Sequence, residues 1–292
     1  MKNRDAFSAL HPLVGFLYFA LVLTFSMSFM HPVCLGISLF CALAYGLRLY
    51  GKKALRQCLW LLPMLLLAAL VNPAFNHEGA TILTYLPSGN PLTLESIAYG
   101  AAAATMLFAV LLWFSCLNAV MPSDKFVYLF GRTIPALSLV LSMTLRFVPK
   151  FAARAKVVAA AQRGAGKGTG KRGKTALAVF SVLVTWSLEN AVETADSMKS
   201  RGYGLPGRTA FSIYRFGGRD RTALLWLAFC GIYIVSGWIS GGLRFRYYPT
   251  LLGVTPGAFP VSFWLVYLAL CLTPVILDWK EERTWKQLKS VA

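Results

Sequence analysis

Six runs of apolar residues constrain the fold of this chain more than any other feature of its sequence. A helix of about 20 apolar residues can cross the hydrocarbon core of a bilayer. Charged residues make up only 14% of the 292 residues, and hydrophobic types make up 57%, a balance that does not suit the surface of a soluble domain. The sequence therefore predicts an all-α integral membrane protein with about six transmembrane helices. The predicted spans are 12–30, 32–47, 58–71, 96–120, 222–240 and 259–277.

The second and third of these spans are short, so we expect them to be tilted, broken or extended by flanking residues, and Pro63 predicts a kink in the third. The first is not expected to be a cleavable signal peptide, because more apolar spans follow at once. The spans divide the chain into three parts. These are an N-terminal transmembrane part (1–120), a polar segment (121–220), and a C-terminal part with two spans and a tail (221–292).

Positive charge predicts how the chain lies in the membrane. Of the 29 Lys and Arg residues, only Arg244 and Arg246 fall in loops on the far side, and the loop 72–95 contains neither type. The excess of basic residues marks the cytoplasmic side of a membrane protein. We therefore expect both termini and the polar segment in the cytoplasm, and the chain in the cell membrane. The net charge of +18 then needs no nucleic acid, since a basic cytoplasmic face also attracts anionic lipid.

The polar segment predicts long amphipathic helices. A short amphipathic stretch at 125–131 precedes an apolar helix that opens at Pro135, and Pro149 predicts a bend before an Ala-rich helix over 150–163. Five Gly and several basic residues in 164–174 indicate a flexible linker. A long helix over 175–201 follows. Its apolar part, 177–188, is too short to span a bilayer before Glu189, so this helix is not expected to cross.

The two helices of the polar segment end in nearly the same way, at Gln162-Arg163-Gly164 and at Ser200-Arg201-Gly202. Gly can adopt the left-handed backbone conformation that stops a helix, and Arg in the last turn suits the negative end of the helix dipole. Each end is thus predicted to be a rigid cationic tip. Two such tips on a membrane protein indicate two docking sites for soluble partners.

The second long helix carries two other patterns. Its last part places Glu189, Glu193 and Asp196 on one side, and this side is either solvated or paired with cations such as Arg146, Arg154 and Arg163. Its first part is apolar and must rest on the membrane, on a neighbouring helix or on a partner protein. The residues expected to face the membrane or a partner are Val179, Phe180, Leu183 and Trp186.

Other motifs do not predict a catalytic, cofactor or metal site. Residues 168–175 fit the P-loop pattern GxxxxGK[ST], but a P-loop joins a buried strand to a helix, and here an Ala-rich helix comes first. The six Cys form no CxxC pair, and the three His are scattered, so both types are interpreted as packing or loop residues. No cofactor or metal is expected.

The chain resembles the transmembrane T component of energy-coupling factor (ECF) transporters, which are ABC-type importers of vitamins and metal ions. The resemblance rests on the two Arg-Gly ends, on 189–200 before the second end, and on 145–149. Most members of that family have Ala before Arg-Gly, where this chain has Gln162 and Ser200.

This resemblance implies a non-catalytic subunit. Its two coupling helices would insert the Arg-Gly ends into two ABC ATPase subunits, and a substrate-binding S component would dock on their apolar surface. ATP-driven closure of the ATPases would then move the S component and release its substrate inward. The alternatives are an ordinary ABC permease subunit with its own substrate path, and an intramembrane enzyme.

Overall fold

A computed structural model describes residues 6–85, 91–131, 135–164, 172–205, 214–253 and 257–291. The chain divides into two compact units, one formed by Met1–Pro122 with Tyr214–Ala292 and the other by Ser123–Ile213. In the first unit the described helices are α1 (Pro12–Ser28), α2 (Pro32–Tyr50), α3 (Lys52–Phe75), α4 (Leu94–Val120), α8 (Gly218–Ile239) and α9 (Ala258–Val291). In the second unit they are α5 (Ser123–Gly131), α6 (Pro135–Gly164) and α7 (Arg172–Ser200).

The first unit also contains short non-α elements at its loops. A 3-10 turn (Phe7–Ala9) precedes α1. Strands β1 (Ile82–Tyr85) and β2 (Pro91–Thr93) form an antiparallel pair between α3 and α4. Strands β3 (Phe245–Arg246) and β4 (Leu252–Gly253) form a second antiparallel pair between α8 and α9. The all-α membrane fold predicted from the apolar runs is confirmed by this predominantly helical structure and its long apolar helices.

Local sequence explains where several helices begin. His11 and His31 each precede a Pro that opens a helix, and each accepts a hydrogen bond at Nδ1 from the second residue after it, at 3.2 Å. Pro suits the first helical position because it lacks the N–H that would find no partner there. Thr93 begins α4 in a related way, since its hydroxyl accepts from the N–H of Ser96. These two histidines therefore cap helices, a role that their scattered positions in the sequence did not indicate.

Aromatic rings and small hydroxyls fill the core of the first unit. Trp113 of α4 is fully buried and contacts the rings of Tyr18 and Phe19, with centroids at 6.1 and 6.4 Å. Its Nε1–H donates to Ser38 Oγ at 3.0 Å, and Ser38 lies 2.6 Å from Ser26 Oγ. Buried polar atoms in such a core cost free energy unless they are hydrogen-bonded, and this network satisfies polar groups of three helices, α1, α2 and α4, at one point in the core. Five of the six Cys are buried, in agreement with their packing interpretation.

Helices α3 and α4 approach each other closely. A Cβ on Gly100 of α4 would lie 2.6 Å from the carbonyl oxygen of Ala69 in α3, closer than a Cβ can come. Only Gly allows the two backbones to meet at this point, as in other close crossings of membrane helices.

Several predicted boundaries need correction. The second span extends to Tyr50, and the third covers Lys52–Phe75 with Pro63 and Pro73 inside it, so flanking residues extend both, which is one of the possibilities that the sequence left open. Helix α6 is continuous from Pro135 to Gly164 with Pro149 inside it, and the bend at Pro149 stays a prediction. A proline removes one backbone donor, and the hydrogen bonds on both sides of it hold the helix together. Residues 165–171 of the predicted linker lie outside the described residues, and 172–174 belong to α7.

The set of helices that could cross a membrane differs in one place from the predicted set. By length and composition six described helices qualify, and one of them is Ala176–Ser200 of α7, which was expected not to cross. Helix α1 is one of the six spans predicted from the sequence, but it is not among these six helices because it is only 17 residues long, although it is apolar. The stretch of α7 qualifies because its helix continues past Glu189, whereas the uninterrupted apolar run is shorter. That α7 stays on one side of the membrane remains a prediction.

Candidate functional site

The candidate site is built on the contact between α6 and α7. Partly buried side chains recur along both helices at intervals of three or four residues, which places them on one face of each helix. On α6 this face carries Met143, Phe147, Phe151, Ala155 and Val158. On α7 it carries Val179, Leu183, Trp186, Asn190 and Thr194. The two helices therefore bury an amphipathic face against each other over several turns.

Trp186 lies at the centre of this contact. It is at the midpoint of α7, and its partner Phe151 is near the midpoint of α6. Its ring meets the ring of Phe151 edge-on, with centroids 5.5 Å apart. Lys150 Nζ and the Arg154 guanidinium lie over the same ring, at 5.5 and 5.4 Å from its centroid. Such cation–π contacts stabilise by about 0.5–1 kcal/mol each at exposed sites. Lys150 also donates to Asn190 Oδ1 at 2.8 Å, so one lysine connects two turns of α7.

The first Arg-Gly end closes α6. Arg163 and Gly164 are exposed, Gln162 is half-buried, and Arg163 Nε donates to the carbonyl of Ala159 at 3.2 Å. Gly164 is the last residue of α6 and is not among the glycines with positive φ. The expectation that this glycine adopts the left-handed conformation is therefore wrong. Among the described residues, no atom would lie within 4 Å of a Cβ at this position, so nothing in that part of the chain requires Gly here.

The second Arg-Gly end closes α7 with two hydrogen bonds around a left-handed Gly202. The N–H of Gly202 donates to the Lys199 carbonyl and that of Tyr203 donates to the Met198 carbonyl, both at 3.0 Å. This pair of bonds with φ of +79° at Gly202 is a Schellman motif, which satisfies carbonyls that the helix leaves open. Ser200 and Arg201 are both exposed at this end. The prediction of a left-handed glycine is confirmed here.

The acidic side of α7 is exposed. Glu189, Glu193 and Asp196 form no ion pair with Arg146, Arg154 or Arg163 among the side chains that the structure describes. Arg154 contacts Trp186 instead. The suggested pairing of these carboxylates with arginines of α6 is thus not seen within this chain.

A continuous apolar stripe runs along the exposed side of α7. Its members recur at helical spacing, and their side chains are between 41% and 70% exposed. We call this surface the α7 stripe, and it consists of Leu177, Phe180, Val184, Leu188 and Val192. Of the four residues predicted to face the membrane or a partner, only Phe180 belongs to it. Val179, Leu183 and Trp186 lie half-buried on the opposite side, against α6. The sequence could not separate the two sides because apolar residues occupy both.

The P-loop-like motif has no P-loop context in the described structure. Residues 168–171 lie outside the described residues, and Arg172, Lys174 and Thr175 lie in the first turns of α7. The described element before them is α6, and the described strands form only two short antiparallel pairs, whereas a P-loop follows a strand of a parallel sheet. No group of three or more His, Cys, Asp or Glu able to hold a metal occurs among the described residues.

The sequence of this chain is similar to a known protein family and to a known transporter protein. The model of the family CbiQ, described as cobalt transport protein, matches residues 8–211, a stretch that includes both Arg-Gly ends. An energy-coupling factor transporter transmembrane protein, EcfT of Lactobacillus helveticus (strain DPC 4571), is 32% identical over 102 residues. That alignment covers 33% of this chain and 37% of the relative, so the chain matches well under half of the relative's length.

Proposed function

The chain belongs to the CbiQ family of cobalt transport proteins, and we propose that it is the scaffold and coupling subunit of an ECF-type ABC importer. It is a multi-pass membrane component of a transporter, and in our proposal it catalyses no reaction itself. In the proposed mechanism it transmits the ATP-driven motion of two ABC ATPase subunits to a substrate-binding S component. The substrate would be a vitamin or a metal ion, and the complex would lie in the cell membrane.

The observation that carries this proposal is the pair of exposed Arg-Gly ends on two helices packed against each other. At 1.5 Å per residue, α6 and α7 are each about 45 Å long, and they contact each other near their midpoints. Because the contact is side chain to side chain over several turns, a push on one tip moves a long rigid element. Two tips on two such elements suit a pair of identical or similar ATPases that close together.

The chemistry of the tips suits a protein groove. Arg stays charged under all conditions of the cell and makes several hydrogen bonds in one plane, so it can bind carboxylates or helix-end carbonyls. Loss of one partner of a buried, hydrogen-bonded charge pair costs about 2–5 kcal/mol. A solvated arginine that only complements the helix dipole would contribute a few tenths of a kcal/mol to 1 kcal/mol. The two possibilities therefore differ enough to be separated by mutation.

Co-purification of the ATPases tests the proposal. Arg163→Ala and Arg201→Ala should each weaken ATPase retention, and the double variant should lose it by far more than about thirtyfold, because avidity between the two sites is lost as well. The matched control is Lys156→Ala, which removes one exposed cation of α6 about two turns before Arg163 and should leave ATPase retention unchanged. Undiminished retention and transport in the arginine double variant would contradict the proposed role of both residues.

The ordinary permease remains a second candidate, and a transport assay separates the two. A permease with its own substrate path transports when reconstituted with ATPases alone. The proposed coupling subunit requires an S component in addition, and identifying the small membrane protein that co-purifies with the chain would also name the substrate class. An intramembrane enzyme would retain its activity without any ATPase partner.

A further inference from the structure

An aromatic cavity with two arginines opens at one end of the first unit, where α1 and α8 end. It measures about 660 Å³ and we call it the arginine cup. Arg244 and Arg246 line it together with Trp238 and the rings of Tyr99, Tyr247 and Tyr248. This end carries the only two basic residues that the charge pattern places opposite the basic face.

The arginine cup presents positive charge and neutral donors. Arg244 and Arg246 are exposed, and neither forms an ion pair within the part of the chain that the structure describes. The Tyr247 hydroxyl donates to the Met30 carbonyl at 2.8 Å, and burial raises the pKa of Tyr247 to about 12, so it adds no negative charge. Two acidic residues, Glu78 and Glu95, lie near Tyr248, but neither lines the cup, and Glu95 accepts hydrogen bonds from Thr81.

A second, apolar groove lies along the seam between α1 and α8, next to the arginine cup in the order of residues along both helices. The groove measures about 690 Å³ and presents almost no polar surface. On α1, residues 17, 21 and 24 line the groove and Ser28, one turn further, lines the cup. On α8, residues 228, 231 and 235 line the groove and Trp238 lines the cup. Because these positions recur at intervals of three and four, both cavities lie on one side of the same two helices.

We propose that this seam is a binding site for an anionic glycerophospholipid, with its phosphate at Arg244 and Arg246 and an acyl chain in the groove. Arg binds phosphate through several parallel hydrogen bonds, which gives the site its preference for an anionic headgroup. Trp and Tyr favour the level of the headgroups in a membrane, where an apolar ring meets a polar edge. The order along the seam, from apolar groove through Trp238 to the two arginines, matches the order of groups along a phospholipid.

A site-specific crosslinking experiment tests this site. The purified full chain in neutral lipid discs would be given phosphatidylglycerol with a photoreactive acyl chain, and adducts would be mapped by mass spectrometry. We expect adducts within 17–28 and 225–246, the stretches that line the groove and the cup, and we expect unlabelled phosphatidylglycerol but not phosphatidylcholine to displace them. Arg244→Gln with Arg246→Gln should reduce them by about tenfold, since each arginine near a membrane surface adds attraction for anionic lipid.

Two further variants control the experiment. Arg219→Gln with Arg221→Gln removes two arginines from the opposite end of α8 and should leave the mapped adducts unchanged. Ala228→Phe fills the groove without altering charge and should reduce the adducts while the chain stays folded in size-exclusion chromatography.

Three results would overturn the proposal. The first is displacement of the photoreactive lipid by phosphatidylcholine as effectively as by phosphatidylglycerol, which would mean that the arginines do not select an anionic headgroup. The second is displacement by glycerol phosphate as effective as by phosphatidylglycerol, which would mean a soluble anion site. The third is loss of the adducts when partner membrane subunits co-purify, together with protein–protein crosslinks at Trp238, which would mean that a helix of a partner occupies the seam.

Discussion

At the scale of single residues, the two Arg-Gly ends differ in what their glycines do. Gly202 has φ of +79°, and a Cβ there would lie 3.1 Å from Leu205 Cδ1, whereas Gly164 ends α6 without positive φ and with no described atom close to the position of a Cβ. Gly202→Ala should therefore cost about 1–2 kcal/mol of local stability, because left-handed backbone disfavours a side chain. Hydrogen–deuterium exchange in the last turn of α7 should become about 5–30 times faster.

The matched control is Gly164→Ala. Ala is a better helix former than Gly by about 0.5–1 kcal/mol, so exchange in the last turn of α6 should slow or stay unchanged. Retention of the ATPases should fall in the Gly202 variant and stay near wild type in the Gly164 variant. Equal effects of the two changes would show that the two glycines act alike despite their backbone conformations.

At the scale of elements, helix α7 has two apolar sides. One side packs against α6, and the other, the α7 stripe, is exposed. Leu188 is 65% exposed in the α7 stripe, while Trp186 two residues earlier contacts Phe151, Lys150 and Arg154. If the S component docks on the α7 stripe, Phe180→Glu with Leu188→Glu should weaken its co-purification by at least about tenfold and leave ATPase retention intact. Burial of a charge at an interface is the physical reason.

Val182→Glu provides the matched control, because Val182 is 43% exposed on α7 but lies outside the α7 stripe. It should leave S-component binding unchanged. Trp186→Ala should instead weaken both the S component and the ATPases, since it loosens the helix pair itself. Retention of the S component by the double glutamate variant would show that the docking surface lies elsewhere.

At the scale of the whole molecule, the remaining question is which helices cross the membrane. We expect Gly164 and Lys199, at the two ends of the α6–α7 pair, on the cytoplasmic side, because the positive charge concentrates there. In a chain with Cys58 replaced by Ser, Gly164→Cys and Lys199→Cys should react with an impermeant maleimide only after permeabilisation of the cells. Leu83→Cys, which is 57% exposed in β1, should react in intact cells.

The same reporters decide whether α7 crosses. The helix is about 43 Å long, and the hydrocarbon core is about 30 Å thick, so its length permits a crossing. A crossing would place positions 164 and 199 on opposite sides, and one reporter would react in intact cells while the other would not. The five buried native Cys are not expected to contribute to the signal, because their thiols are inaccessible.

Much of the fold and part of the candidate site could be predicted from the sequence. The apolar runs determined an all-α membrane protein, and most span positions were located correctly, because span length and hydrophobicity are local properties of the chain. The repeated Arg-Gly motif located both helix ends. The role of Gly202 followed correctly from the conformational freedom of glycine, which depends on a few neighbouring residues.

Only the tertiary structure decided the rest. The continuity of α6 through Pro149 depends on the surrounding helix, which outweighs the loss of one donor. Trp186 packs against α6 and Leu188 is exposed, because only one face of the apolar helix α7 contacts a neighbouring helix. The seam between α1 and α8 joins residues more than 200 positions apart in the chain. The sequence determines which apolar side chains each helix has available for burial. The packing between helices determines which of these side chains are buried in the folded protein.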